Sequence, residues 1–284
     1  MNQTIYRASA GARSAHILAR KRRYGKTKLS KSQILWAYVE KHLHLRWSPE
    51  QIAKRMCLEY PLDETMRISH EAIYSHIYII PKGLFRHRLI KDLRRRHKRR
   101  KRRIQTNNND GRGHINSMLL INERPAEVEG RLIPGHREGD LVVGKQHWSA
   151  IGTLVERQTR YAFLVPLKDK HPETVRLAFA KALSGIPQYL KKTLTYDQGK
   201  EMSEHKSFTA DTNIQVYFAH PNSPWERGTN ENTNGLIRQF FPRGVDFNLV
   251  SEAELTEVQE MLNGRPRKTL DWATPKKTLT KLLR

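Results

Sequence analysis

Three carboxylates, Asp140, Asp197 and Glu231, stand on a strand, at a strand end and on a helix, places from which one fold could bring them together. Asp140 opens an apolar run, in Glu138-Gly139-Asp140-Leu141-Val142-Val143, that reads as a strand. Asp is depleted in strands, so an acid there needs another reason. Asp197 closes a second run, Thr193-Leu194-Thr195-Tyr196, and precedes Gln198-Gly199, where a strand gives way to a loop. Ligand sites in open α/β sheets gather at such strand ends. If the two strands are neighbours, the aspartates face each other. Glu231 follows 34 positions after Asp197, on a helical segment whose apolar side holds Leu236, Ile237, Phe240 and Phe241. Arg227, Glu231, Asn234 and Arg238 recur at i, i+4, i+7 and i+11 and make one narrow stripe of that helix. Packed beside the strand ends, it would swing Glu231 onto the aspartates and line the approach with cations.

Clustered carboxylates repel one another and require a compensating cation. Hard oxygen ligands select Mg²⁺ or Mn²⁺. Two such ions about 3.5–4 Å apart activate a water or 3′-hydroxyl and stabilise a leaving oxygen. Each acid also has a plainer reading, the strand-end Asp as a turn or cap residue and the helical Glu as a solvated one. Lys200, Arg227 and Arg238 are candidate phosphate contacts. Trp225, after Ser223-Pro224, either stacks on a base or sugar or packs beneath the helix. Glu201 and Glu226 are acidic neighbours, and Glu226 lies off the face that carries Glu231. His136 and His220 are water-orienting groups or satisfied structural histidines.

The elements that must position these groups follow from the hydrophobic pattern. Strands are predicted over 140–144, 149–155, 160–166, 192–196 and 214–219, and helices over 173–185, 201–212 and 225–240. Three strands in succession, then helices alternating with strands, specify an α/β fold with a mixed sheet flanked by helices. Upstream, Ile34, Leu35, Tyr38, Val39 and Leu43 share one side of a helix over 31–44. Ser48-Pro49-Glu50-Gln51 opens the next, with Ser48 as cap, Gln51 completing a capping box and Ile52, Ala53 and Met56 facing inward. Ser69 caps a third, stapled by Ile68 and Ile73, that runs to about Ile80 and turns His70, Tyr74, Ser75 and His76 outward.

Charge tells the same two halves apart. The chain has 284 residues and a formal charge of +24. Residues 1–113 hold 28 Lys and Arg against 8 Asp and Glu, a net of +20, and residues 114–284 hold 24 against 20, a net of +4. Nine of the ten residues from Arg94 to Arg103 are basic, including Arg94, Arg95, Arg96, Arg99 and Arg100. DNA is the expected partner. Two short capped helices in that setting read as a helix-turn-helix, with Ser69, His70 and Tyr74 at the DNA. The expected plan is a basic flexible arm over 1–30, the helix-turn-helix region over 31–92, a basic linker over 93–130 and the catalytic core and tail over 131–284.

The longest nearly apolar stretch, Ala72 to Ile80, is short and broken by Ser75 and His76, so no membrane partner is expected. The N-terminus lacks an apolar signal core, and a lone Cys57 fits a reducing interior, which together point to the cytoplasm. A single cysteine also argues against a Cys-rich zinc module.

At these residues the sequence resembles the insertion-sequence-thirty family of bacterial transposases. The likeness is carried by Pro134-Gly135-His136 with Glu138-Gly139-Asp140-Leu141-Val142, by Gly152-Thr153-Leu154-Val155-Glu156-Arg157 and by Thr195-Tyr196-Asp197-Gln198-Gly199-Lys200-Glu201. It continues through His220-Pro221, Arg227 to Leu236 and Leu262-Asn263-Gly264-Arg265-Pro266-Arg267-Lys268, and upstream through Trp47 to Ile52 and Ser69 to Tyr74. The resemblance implies a ribonuclease-H-like core and Asp140, Asp197 and Glu231 as the metal-binding catalytic acids. It further implies an enzyme that binds the terminal inverted repeats of an insertion sequence, cleaves DNA and joins the 3′-hydroxyl ends to target DNA. Acting on two ends together requires a homodimer or higher oligomer. Arg137 stands where the family usually has Trp, and such members usually carry a further helix-turn-helix upstream. Two other readings remain beside this one, an impaired or truncated member acting as a DNA-binding regulator, and a nuclease that only hydrolyses.

Overall fold

The computed structural model describes residues 25–93 and 117–284, together with Ala15, Leu18, Arg22 and Ile115. Most of the expected basic arm, the run Arg94–Arg103 and the stretch 105–114 lie outside the described residues. The chain divides into two compact units, Met1–Arg99 and Arg100–Arg284.

The first unit is helical: α1 (Lys28–Lys31), α2 (Gln33–His44), α3 (Pro49–Glu59), α4 (His70–Ile79) and α5 (Leu84–Asp92). Leu35, Val39, Leu43, Ile52, Met56, Ile73, Ile77 and Leu89 form its buried core. Both ends of the Ser48–Gln51 capping box are made, at 3.2 and 2.8 Å, so two orphan amides of α3 are satisfied. Ser69 Oγ accepts from Ala72 N at 3.1 Å and starts α4 in the same way. Two expectations are corrected. Ile34 is exposed rather than part of the apolar face of α2. His76 turns inward, because Thr27 Oγ1 lies 2.7 Å from its Nδ1 and the Trp36 ring packs 4.7 Å away. Tyr74 is half-buried against the core, leaving His70 and Ser75 as the exposed members of the expected outward set.

The second unit is a mixed five-stranded sheet of β1 (His136–Val143), β2 (Ala150–Glu156), β3 (Ala162–Pro166), β4 (Thr193–Tyr196) and β5 (Gln215–Phe218), in the order β3-β2-β1-β4-β5. β1, β2 and β3 run antiparallel, and β4 and β5 lie parallel to β1 and to each other. Helices α6 (Pro172–Leu183) and α7 (His205–Thr212) belong to the apolar cluster of Phe179, Leu194, Tyr196, Phe208 and Phe218. Helices α8 (Gly228–Ile237) and α9 (Glu252–Asn263) build a second cluster with Val142, Ile151, Leu236, Ile237, Leu255 and Leu262. The last helix is α10 (Pro275–Leu282). This is the ribonuclease-H-like arrangement.

Here too the sequence reading needs correction. β1 begins at His136 rather than Asp140, so Asp140 sits within the strand rather than at its start. The first residues are polar yet buried: His136 Nδ1 meets Thr193 Oγ1 at 2.9 Å, and Glu138 pairs with Arg157. The helix expected over 225–240 is a 3₁₀ turn, Pro224–Arg227, followed by the shorter α8. Among the described residues no helix is long and apolar enough to cross a membrane.

Candidate active site

Strand register brings the two aspartates together. Glu138 of β1 pairs with Thr195 of β4, so two residues further along Asp140 falls beside Asp197, just past the end of β4. Alternation places Glu138 and Asp140 on one face of β1 and Arg137 and Gly139 on the other. A Cβ at Gly139 would lie 2.8 Å from the Tyr196 ring, so glycine there lets that ring pack under the strand.

Helix α8 and the turn before it lie along the Asp140 face through polar side chains. Arg227 Nη1 donates to the Gly139 carbonyl at 3.2 Å. Asn230 gives its backbone N–H to Glu138 Oε2 and its amide to the Glu138 carbonyl, at 2.9 and 3.2 Å. Asn234 Nδ2 donates to Asp140 Oδ2 at 2.9 Å, and Arg238 Nη2 to the Val143 carbonyl at 2.6 Å. Thr153, opposite Asp140 on β2, donates to Asn230 Oδ1 at 3.0 Å and so steadies the same network.

One guanidinium serves both aspartates. Arg227 Nη1 is 3.4 Å from Asp140 Oδ2, and Nη2 is 3.2 Å from Asp197 Oδ2. The Leu141 amide donates to Asp140 Oδ1 at 2.9 Å, and the Gly199 amide to Asp197 Oδ1 at 3.1 Å, which fixes both carboxylates. Burial pushes the Asp140 carboxyl up to about 6; Arg227 pulls it down and the Asp197 charge pushes it up. Glu201 is also raised, first by burial and then by the charges of Asp197 and Asp140. Its carboxylate occupies the space a Cβ at Gly199 would take, 2.4 Å from Oε1. Tyr196 is fully buried beneath this group, and burial with three nearby acids raises its hydroxyl well above the usual range.

Glu231 does not join them. Among the described residues no three acidic, histidine or cysteine side chains come close enough to hold a metal ion. Asn230 and Asn234 take the positions of α8 nearest β1, and Glu231, about 100° round from Asn230, is exposed at the edge. Lys200 is exposed in its 3₁₀ turn. Trp225 is 72 % exposed, which removes the reading that packed it beneath the helix. Arg238 gives Nη2 to the Val143 carbonyl. Glu226 accepts from the His220 amide and ring, both at 2.8 Å, and holds that loop. Arg137 is buried on the opposite face from Asp140, donating to the Leu190 carbonyl, so its replacement of Trp does not reach the carboxylates. The sequence reading missed Glu138, whose carboxylate takes Arg157 Nε at 2.9 Å. Its signal was available, since acids two apart on a strand share a face.

The integrase core domain family matches residues 133–224. The transposase for insertion sequence element IS1086 of Cupriavidus metallidurans is 43% identical over 256 residues, 90% of this chain and 75% of that protein. Transposase InsI for insertion sequence element IS30A of Escherichia coli is 42% identical over 243 residues, 85% of this chain and 63% of that protein. The transposase for insertion sequence element IS4351 of Bacteroides fragilis is 34% identical over 291 residues, 99% of this chain and 86% of that protein. Among solved structures, the catalytic core domain of BIV integrase is 15% identical, covers 52% of this chain and 95% of its own, and superposes with a TM-score of 0.41.

Proposed function

Because the chain belongs to the IS30 family of insertion-sequence transposases, we propose that it binds the terminal inverted repeats of its element, cleaves there and joins the freed 3′-hydroxyls to target DNA. The observation that carries this reading is the meeting of Asp140 and Asp197 on a single guanidinium.

The donor set fits a divalent ion. Two carboxylates that share one cation, one of them pushed up to about 6 by burial, form a site short of positive charge. Their oxygens are hard ligands of the kind Mg²⁺ and Mn²⁺ prefer. Asp140 and Asp197 would hold the ion, with Glu231 as the third acid from the edge of α8. When bound, the metal would activate a water or 3′-hydroxyl and stabilise the departing oxygen.

The chain's own groups do the positioning. Asn234 and the Leu141 amide aim the Asp140 carboxylate, and the Gly199 amide aims Asp197. Arg227 lies close to both acids and would meet negative charge developing on the phosphate. Trp225, exposed in the turn before α8, offers a stacking surface for a base beside the scissile bond. In the first unit, α3 and α4 would act as the helix-turn-helix, with His70 toward base edges and the run Arg94–Arg103 on phosphates. Two ends joined in one reaction imply a dimer or larger assembly on DNA.

The separation of Glu231 from the aspartates favours a second reading, a DNA-binding regulator without chemistry. Metal-dependent joining of labelled element ends to a plasmid tests both. Joining supports the transposase, cleavage without joining a nuclease, and binding alone the regulator.

A further inference from the structure

Helix α8 has a second functional side. Arg227, Asn230 and Asn234 face β1, whereas Gly228, Thr229 and Thr233 lie roughly 80–140° round the helix from the line of Asn230 and Asn234. There they border a cavity of about 290 Å³ whose other walls include Arg131, Arg160 and Arg267. No acidic side chain is among its lining residues. Arg160 Nη1 donates to Thr229 Oγ1 at 2.7 Å, which fixes that guanidinium against the first turn of the helix. Burial lowers the Arg160 guanidinium below its usual range, and the charge of Arg131 lowers it further.

The acids that act on Arg160 from behind are already engaged. Glu138 takes Arg157 and the Asn230 amide, and Glu156 takes the amides of Gly135 and Thr159. Two first-turn amides of α8 are engaged as well, Gly228 N–H on the Trp225 carbonyl and Asn230 N–H on Glu138. The helix adds the positive end of its dipole. Like charges gathered round a cavity repel, and an anion would relieve them. Planar guanidinium forks match the oxygens of phosphate better than a point charge does.

We propose that this cavity binds a phosphate of a DNA backbone, separate from the phosphate attacked at Asp140 and Asp197. The choice of DNA as its source rests on the phosphoryl-transfer reading above. α8 would then touch two phosphates, one at the carboxylates and one round its side, within about one helix width (~10 Å). A duplex presents charge every ~1.7 Å of its axis, so one DNA segment can supply the second contact while the reacting strand lies at the first.

The test follows the amide resonances of Thr229, Asn232 and Thr269 in the full chain during titration with inorganic phosphate. Chloride at matched ionic strength is the control, and a short duplex is added afterwards. Phosphate is expected to give saturating shifts that chloride does not, and the duplex to compete with it. Arg131→Gln, at an exposed position, should weaken phosphate about ten-fold with an unchanged melting temperature, and Arg131→Lys should recover part of the loss. Shifts equal to those in chloride, or affinity unchanged in Arg131→Gln, would overturn the site. Saturable phosphate that a duplex never displaces would overturn its assignment to DNA. Saturable, duplex-competed phosphate in a chain that joins no DNA would uphold the cavity and reject the transposase reading alone.

Discussion

Asp140 and Asp197 face a cation that belongs to the protein, and this makes their roles separable from stability. Asp140→Asn, Asp197→Asn and Glu231→Gln are each expected to abolish cleavage and joining while leaving DNA binding intact, measured on the same labelled end. Metal-site residues act as a unit, so any two changes together should cost little more than one. Glu226→Gln is the control, because its carboxylate holds the His220 loop and touches neither aspartate. Retained joining in the Glu231→Gln variant would remove that residue from the site. Stability should respond in the opposite sense. A carboxyl moved from 3.8 to about 6 is penalised in the fold when ionised, so the wild-type chain loses stability as pH rises between those values. The full penalty, at most about 3 kcal/mol, is present above pH 6. Asp140→Asn escapes it, and in chelator its melting temperature should exceed wild type at pH 8 and match it near pH 4. A difference independent of pH would reject the burial argument. The end of β4 at Asp197 was legible from local pattern, whereas the convergence of the aspartates was conditional on a strand adjacency that only the parallel pairing of β1 with β4 supplies. The position of Glu231 was not legible, since Arg227, Asn230 and Asn234 compete for the same face and only their partners on β1 decide which of them wins.

Elements were legible where apolar residues marked them and illegible where polar residues entered the interior. The start of β1 was lost because His136, Arg137 and Glu138 look like loop residues until Thr193, Leu190 and Arg157 supply their partners. Helix α9 was passed over although Ser251 caps it and Leu255, Val258 and Leu262 share a face. Its function explains its place. β3 is an edge strand, and α9 covers it: Gln259 Oε1 accepts from the Leu164 amide at 2.8 Å, and Asn263 accepts from the Ala162 amide and donates to its carbonyl at 2.9 and 2.8 Å. Side chains thus replace a sixth strand and blunt an edge that would otherwise pair with another chain. Asn263→Ala strands two buried backbone groups, and a loss of about 1–3 kcal/mol per group is expected in denaturant unfolding. Turbidity on warming should rise in the same variant. A change within experimental error in both would show that α9 packs on β3 without guarding it.

At the scale of the whole chain the decisive quantity is where the charge lies. A net of +20 falls in residues 1–113 and +4 in residues 114–284, so most of the positive charge lies in the part that carries none of Asp140, Asp197 and Glu231. That division suits a protein whose DNA must be held by one region while another region, kept near neutrality, gathers carboxylates without overwhelming them. Its consequence is measurable. Each phosphate neutralised adds about −0.9 to the slope of log affinity against log salt. Replacing the nine basic residues of the Arg94–Arg103 run by Gln should flatten that slope by up to about 8, nine contacts at about 0.9 each. It should weaken element ends and random duplex by the same factor, because phosphate contacts fix position without reading bases. His70→Ala, on the exposed start of α4, should do the reverse, lowering affinity for the element end more than for random duplex with little change in slope. If neutralising the basic run altered the preference between the two duplexes, that run would be reading sequence. If His70→Ala weakened both equally, the recognition face assigned to α4 would have to be abandoned.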